Sequence, residues 1–347
     1  MNAAVSLRHV SRGFQTGGIG AIFRPSRRGS FQVLRDLTLD ITSGERLALI
    51  GSNGAGKTTL LKILAGLLHP DHGDARVLGM DVRTDGTRVR RAVGYVLADE
   101  RSFFWRLSVR HNMEFFAALS GLTGAERDKR IATLLEGVGL EGKASANFSD
   151  LSTGMKQRLA IARALIGQPR LLLMDEPTRS LDGEQTQRVW DLVHREITDQ
   201  GGTLLLVTHH LEEALAQCSH VAVLREGRVG AHMSVEEARQ LISADQGVTL
   251  SVRQLQPGVL DQVRAIPGVQ EVHVVSQLPG ETQIEVWSEH DEPPVGPIVA
   301  TLTAAGVSLT SLRQGQPVGA LLARLSEVAD APVRTRPALT SPLRAVG

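Results

Sequence analysis

Three observations set the fold class of this 347-residue chain, which is α/β over its first 240 residues. Short β-rich runs alternate with helical apolar patterns along that stretch. Gly51-Ser52-Asn53-Gly54-Ala55-Gly56-Lys57-Thr58 is a complete phosphate-binding loop, with the GK pair followed by Thr. After about residue 245 the pattern shifts to a smaller βαββαβ order, which predicts an α+β unit of the ferredoxin-like kind.

The strands follow from short apolar runs. Arg46–Ile50, Ala92–Leu97, Arg170–Met174, Thr203–Val207 and His220–Leu224 each qualify. Arg46–Ile50 runs into the loop, and a helix over Thr59–Ala65 runs out of it. That context makes the loop a phosphate cradle. Its glycines let N–H groups turn inward, and the helix N-terminus favours an anion. Lys57 sets a point charge on the β and γ oxygens, and Thr58 offers a hydroxyl to Mg²⁺. The bound species implied is a nucleoside triphosphate with Mg²⁺, touched by residues 51–58 and by Thr59 beyond them.

Residues 15–30 are glycine-rich and then basic, and read as a surface loop, with contact to a partner or anionic lipid through Phe23, Arg24, Arg27 and Arg28 as the alternative. Helical spacing marks Val109–Leu119, preceded by Phe103-Phe-Trp-Arg-Leu107, and Met155–Leu165. In the second unit, Val248–Val252 is a strand, and Val259 to Ile266 a helix. Strands at Val272–Val274 and Ile284–Val286 follow, then a helix from Val295 to Leu302, a strand over Val307–Leu312 and a last helix over Val318–Val328. Residues 331–347 carry three prolines, three arginines and no acid, and predict a disordered tail.

Composition narrows the function. A formal net charge of +1 supplies no basic field, so no nucleic-acid partner is expected. The single cysteine, Cys218, excludes a disulfide framework. No run approaches the roughly 18 apolar residues of a membrane span, and no signal-peptide pattern opens the chain.

Four further motifs carry chemistry. Leu171-Leu-Leu-Met-Asp-Glu176 is an apolar strand ending in two carboxylates. Asp175 at its end can hold Mg²⁺ opposite Thr58, and Glu176, aimed elsewhere, can polarise an attacking water. Ser152 and Gly154 open the helix that runs to Leu165, a second phosphate-binding helix start. Ser180-Leu-Asp182 follows the carboxylates. His209, just past the strand Thr203–Val207, can reach a γ-phosphate and hold the water against Glu176. His210 is expected to point the other way, as a surface residue at a helix start.

These five motifs, in this order, resemble the nucleotide-binding subunit of ABC transporters over residues 1–240. The resemblance implies a P-loop NTPase core of the ABC type with a helical subdomain. It implies two copies packed head to tail, with MgATP between the phosphate loop of one and Ser152, Gly154 and Asp182 of the other. ATP closes the pair, hydrolysis reopens it, and the motion drives a separate membrane permease, from the cytoplasmic side of the cell membrane. Trp105 and Arg106 are the expected permease contacts. The family's usual adenine-stacking aromatic falls at Phe14, with Phe31 as the alternative. Its usual glutamine after Gly94–Leu97 is missing from Ala98-Asp99-Glu100, so Asp99 or Glu100 is expected to take over the Mg²⁺ or water contact.

Three family roles stand open. The signature Leu-Ser-Thr-Gly-Met and the C-terminal unit favour a subunit of an ABC-2 type exporter. An importer ATPase and a soluble ABC ATPase of translation or repair are the alternatives.

Overall fold

The computed structural model describes residues 3–16, 29–97, 102–243, 247–256, 258–278, 281–288 and 293–314. The chain opens with an antiparallel hairpin, β1 (Ala3–Thr16) and β2 (Gly29–Thr42). Then come β3 (Arg46–Ile50), α1 (Lys57–Leu64), β4 (His72–Val77), β5 (Met80–Asp81), α2 (Gly86–Ala92) and β6 (Val93–Val96). The helices α3 (Val109–Leu119), α4 (Gly124–Gly137) and α5 (Thr153–Leu165) follow without a strand between them. Next are β7 (Leu171–Asp175), α6 (Gly183–Val193), β8 (Thr203–Val207), α7 (Leu211–Gln217), β9 (His220–Arg225), β10 (Arg228–Ser234) and α8 (Val235–Ser243). The last part holds β11 (Gly247–Arg253), α9 (Val259–Arg264), β12 (Val269–Leu278), β13 (Glu281–Ser288), α10 (Val295–Ala304) and β14 (Ser308–Gln314).

The central sheet has the order β10-β9-β3-β8-β7-β6 and is parallel except for β10. The interiors of its parallel strands are near-continuous apolar runs because both faces are covered. On β3, Leu47 and Leu49 enter one apolar cluster while Ala48 and Ile50 enter the other. On β7, Leu171 and Leu173 divide from Leu172 and Met174 in the same way. One cluster is closed by the second sheet, β2-β1-β4-β5, and α1; the other by α3 to α6 and α8. The loops that carry Gly51–Thr58, Glu176 and His209 leave the C-terminal ends of β3, β7 and β8, where an open α/β sheet presents its ligand crevice.

The third sheet has the order β12-β13-β11-β14, wholly antiparallel, with α9 and α10 sharing its own apolar cluster. A βαββαβ chain wound in that order is the ferredoxin-like arrangement expected from the pattern.

Several predicted boundaries move. The strand expected over Ala92–Leu97 is Val93–Val96, because Ala92 closes α2. The strand expected over Arg170–Met174 is displaced one residue, to Leu171–Asp175. The helix after the phosphate loop starts at Lys57, two residues before Thr59. The segment read as a surface loop over 15–30 begins and ends in strand, since β1 runs to Thr16 and β2 starts at Gly29. Residues 17–28, the last helix over Val318–Val328 and the tail 331–347 lie outside the described residues.

Candidate functional site

The phosphate loop is built by backbone. Gly54 and Gly56 take φ of 84° and 108°, where a side chain is strained, and so curl the loop at the head of α1. A Cβ on Gly51 would stand 2.3 Å from the Leu224 carbonyl oxygen, so β3 and β9 touch without room for a side chain. Helix α1 has no side-chain cap at Gly56, and its N-terminus faces the loop's hollow. Lys57 is buried, and its ammonium donates to the Gly51 and Ser52 carbonyl oxygens at 2.6 and 3.0 Å. Burial pulls its pKa down, and the charges of Glu176 and Asp175 act against that shift.

Thr58 and Asp175 come together across the sheet. The Thr58 hydroxyl donates to Asp175 Oδ2 at 2.8 Å. Burial raises the Asp175 pKa, the Thr58 bond works against the rise, and the Glu176 charge adds to it. The two oxygens form a compact pair of hard donors.

Glu176 is set apart from its neighbour by the backbone. It takes φ 47°, a left-handed turn rare outside glycine, and its N–H donates to the Val207 carbonyl at 2.8 Å. The turn swings its side chain away from Asp175 toward the end of β8, where His209 Nδ1 lies 3.0 Å from Glu176 Oε1. Arg179 Nη1 approaches Oε2 at 3.6 Å.

A carboxylate that the sequence reading passed over holds this pair in place. Glu213 accepts from the Thr208 hydroxyl and from the Thr178 hydroxyl, both at 2.7 Å. It ties the turn after Glu176 to the turn that carries His209. The sequence signal was its place in the first turn of α7, four residues past His209. His210 is an exposed residue at the start of α7, as expected, but it does not point away from His209. Its ring lies 4.0 Å from that of His209, at 39°, because the Thr208 hydroxyl accepts its N–H and turns the chain tightly into α7.

Ser152, Gly154 and Asp182 form a second cluster. Ser152 caps α5, its hydroxyl accepting from Met155 N at 3.3 Å. A Cβ on Gly154 would lie 2.9 Å from the Ser180 carbonyl oxygen, so only glycine lets the start of α5 meet the loop before α6. Asp182 caps α6, its two oxygens accepting from Gln185 N and Nε2 at 2.9 and 2.7 Å. Among the described residues no hydrogen bond joins this cluster to Lys57, Thr58 or Asp175.

Phe14 is exposed near the end of β1, with the Arg12 guanidinium 5.1 Å from its ring centre. Phe31 is its direct partner across the hairpin and is also exposed. Leu34, paired with Arg12, packs against Gly56, which places this face of the hairpin over the phosphate loop. Asp99 and Glu100 lie outside the described residues.

Trp105 and Arg106 are exposed, Trp105 at 60%. Phe104, Leu107, Phe115, Leu119 and Leu67 add further exposed apolar surface. Phe103 and Phe116 instead pack inward, so the aromatic run divides between contact surface and core. A groove of about 880 Å³ adjoins them, lined by Leu67, Arg90, Tyr95, Phe116, Leu119 and Arg163 among others.

An ABC transporter family profile matches residues 34–179. The chain is 34% identical, over 254 residues, to a Nod factor export ATP-binding protein of Bradyrhizobium diazoefficiens, spanning 73% of this chain and 80% of that protein. It is 28% identical, over 289 residues, to the linearmycin resistance ATP-binding protein of Bacillus subtilis, 83% of this chain and 91% of that one. A solved dimeric ATP-binding cassette in a post-hydrolysis state, bound to ADP and phosphate, matches with a TM-score of 0.60 at 27% identity, over 67% of this chain and 98% of that one. The chain belongs to the ABC transporter family. Within it, this is an ATP-binding subunit and an ATPase. No helix of the described residues is long and apolar enough to cross a membrane.

Proposed function

We propose that two copies of this chain pack head to tail and hydrolyse ATP between them to drive export through a separate membrane permease. The carrying observation is the split of the carboxylates at the end of β7. Asp175 meets Thr58, while the left-handed turn at Glu176 sends the second carboxylate to His209. In this reading residues 51–59 hold the triphosphate and Phe14 stacks on the base. Ser152, Gly154 and Asp182 of one copy face the γ-phosphate held by the other. Glu176 accepts a proton from the attacking water, and His209 holds Glu176 and the γ-phosphate in line.

Thr58 and Asp175 fit Mg²⁺. Their oxygens lie 2.8 Å apart, as neighbouring ligands of a small hard cation would, and Mg²⁺ is typically held by one or two carboxylates plus phosphate oxygens. When bound there it neutralises charge on the transferring phosphoryl group.

Export is favoured by the relatives, one named for Nod factor export and one for linearmycin resistance. The permease site is the exposed patch of Phe104, Trp105, Arg106 and Phe115 with its adjoining groove, apolar and arginine-bearing as interface cores are. That docking makes the chain peripheral on the inner face of the cell membrane. Residues 1–240 form the ATPase and 245–330 an accessory unit, while the tail expected over 331–347 lies outside the described residues.

The test is Glu176→Gln. Loss of a general base lowers turnover by about 10²- to 10⁴-fold, while MgATP still binds and light scattering shows an ATP-dependent dimer. Turnover near wild type would remove Glu176 from this role.

A further inference from the structure

A side chain from the first turns of α5, Lys156, reaches the exposed Trp105 loop. The loop itself is stiff. Asn112 is wholly buried and accepts from Phe104 N at 2.8 Å, while its amide donates to the carbonyls of Phe104, Leu107 and Ser108 at 3.1 to 3.2 Å. The strip before α5 is bonded to that loop, with Phe148 N donating to Leu107 O at 3.0 Å and Ser149 N to Trp105 O at 3.2 Å. Lys156 lies in the first turns of α5, its N–H donating to the Ser152 carbonyl at 2.9 Å. Its ammonium stands 5.7 Å from the Trp105 ring centre and 5.4 Å from that of Phe148. Phe148 in turn stacks on Phe103 at 4.6 Å. A cation between two rings holds whatever carries the cation in register with whatever carries the rings.

We propose that Lys156 is a positioning residue that links Trp105 to the Ser152 end of α5, so that load on the exposed loop and ATP at Ser152 report to each other. This rests on the reading that Ser152 of one copy meets the triphosphate held by a second. Lys156 touches no reacting atom. It acts one helical turn from Ser152, through the backbone of α5.

The indole itself reports the link. The chain has three tryptophans, Trp105, Trp190 and Trp287, of which Trp190 is buried. The experiment uses the full chain carrying Glu176→Gln, with tryptophan emission and light scattering recorded with and without MgATP. Trp105→Phe in the same background isolates the loop's share of the signal. The expected result is an ATP-dependent change in Trp105 emission that Lys156→Met reduces by about two- to fivefold. Dimer formation and melting temperature stay as in the parent, and Lys156→Arg, which keeps the cation over the rings, restores the change. A merely structural Lys156 would lower the melting temperature and leave the emission change intact. A parent that dimerises without any Trp105 response, or a Lys156→Met protein that keeps the full response, overturns the link alone. A parent that stays monomeric with MgATP overturns the two-copy reading and the link with it.

Discussion

Replacing Gly51 by alanine puts one methyl group where β3 and β9 touch. The added carbon would stand 2.3 Å from the Leu224 carbonyl oxygen and 3.4 Å from Ala55 Cβ. The obstacle is backbone of a central strand, so the two strands must part by about 1 Å, and overpacking of this kind costs about 1–3 kcal/mol. For a unit of this size that is a fall of about 2–12 °C in melting temperature. The same shift moves the Gly51 carbonyl that holds Lys57 at 2.6 Å. A displacement of about 1 Å in a phosphate clamp weakens its action by up to about 10²-fold. Gly54→Ala is the contrast, because open space surrounds Gly54 and only its φ of 84° resists a side chain. The assay is thermal unfolding without nucleotide, paired with ATP titration. A Gly51→Ala protein that melts and binds ATP like wild type would refute the packing argument.

Two further outcomes are expected. Phe14→Ala removes a base-stacking face worth about 1–3 kcal/mol, so the ATP Kd rises by about 5- to 150-fold. Binding of inorganic tripolyphosphate, which has no base, stays unchanged; equal losses for both ligands would place Phe14 outside the base site. Glu285 on β13 is buried, and burial pushes its pKa from 4.5 up to about 7, with the charge of His273 opposing. The folded state therefore holds a proton that the unfolded chain releases between pH 4.5 and about 7. That contribution to stability is complete below 4.5 and is lost as pH rises through about 7. Hydrogen exchange in residues 281–288, corrected for intrinsic rates, should speed up across that window in wild type and stay flat in Glu285→Gln.

Local signals gave the parts of the site that local chemistry builds. Ser108 caps α3 through His111 N, and apolar spacing ends it at Leu119, so both ends can be read from neighbours in sequence. The phosphate loop, Ser152 and the Asp175–Glu176 pair are likewise continuous motifs. What escaped depends on distant partners. Glu213 matters through Thr178, 35 residues away. The length of the β1–β2 hairpin comes from pairing across an insertion, with register shifts along β1 that no periodicity announces. The left-handed turn at Glu176 is set by its bond to β8, and the tight His209–His210 contact by Thr208. The antiparallel unit after residue 247 was legible because its alternating strands and two helices each bury one face.

Complementation tests the central claim, that one ATP site is made from two chains, most directly. Lys57→Ala leaves a chain without a working phosphate loop, and Ser152→Phe leaves one without the facing helix start. Each homodimer is then inactive. In an equimolar mixture half the pairs are mixed, and each mixed pair holds one intact site, so turnover returns to about a quarter of wild type. No recovery on mixing, with both proteins folded and exchanging subunits, would mean that each chain carries its whole site alone and would contradict the account.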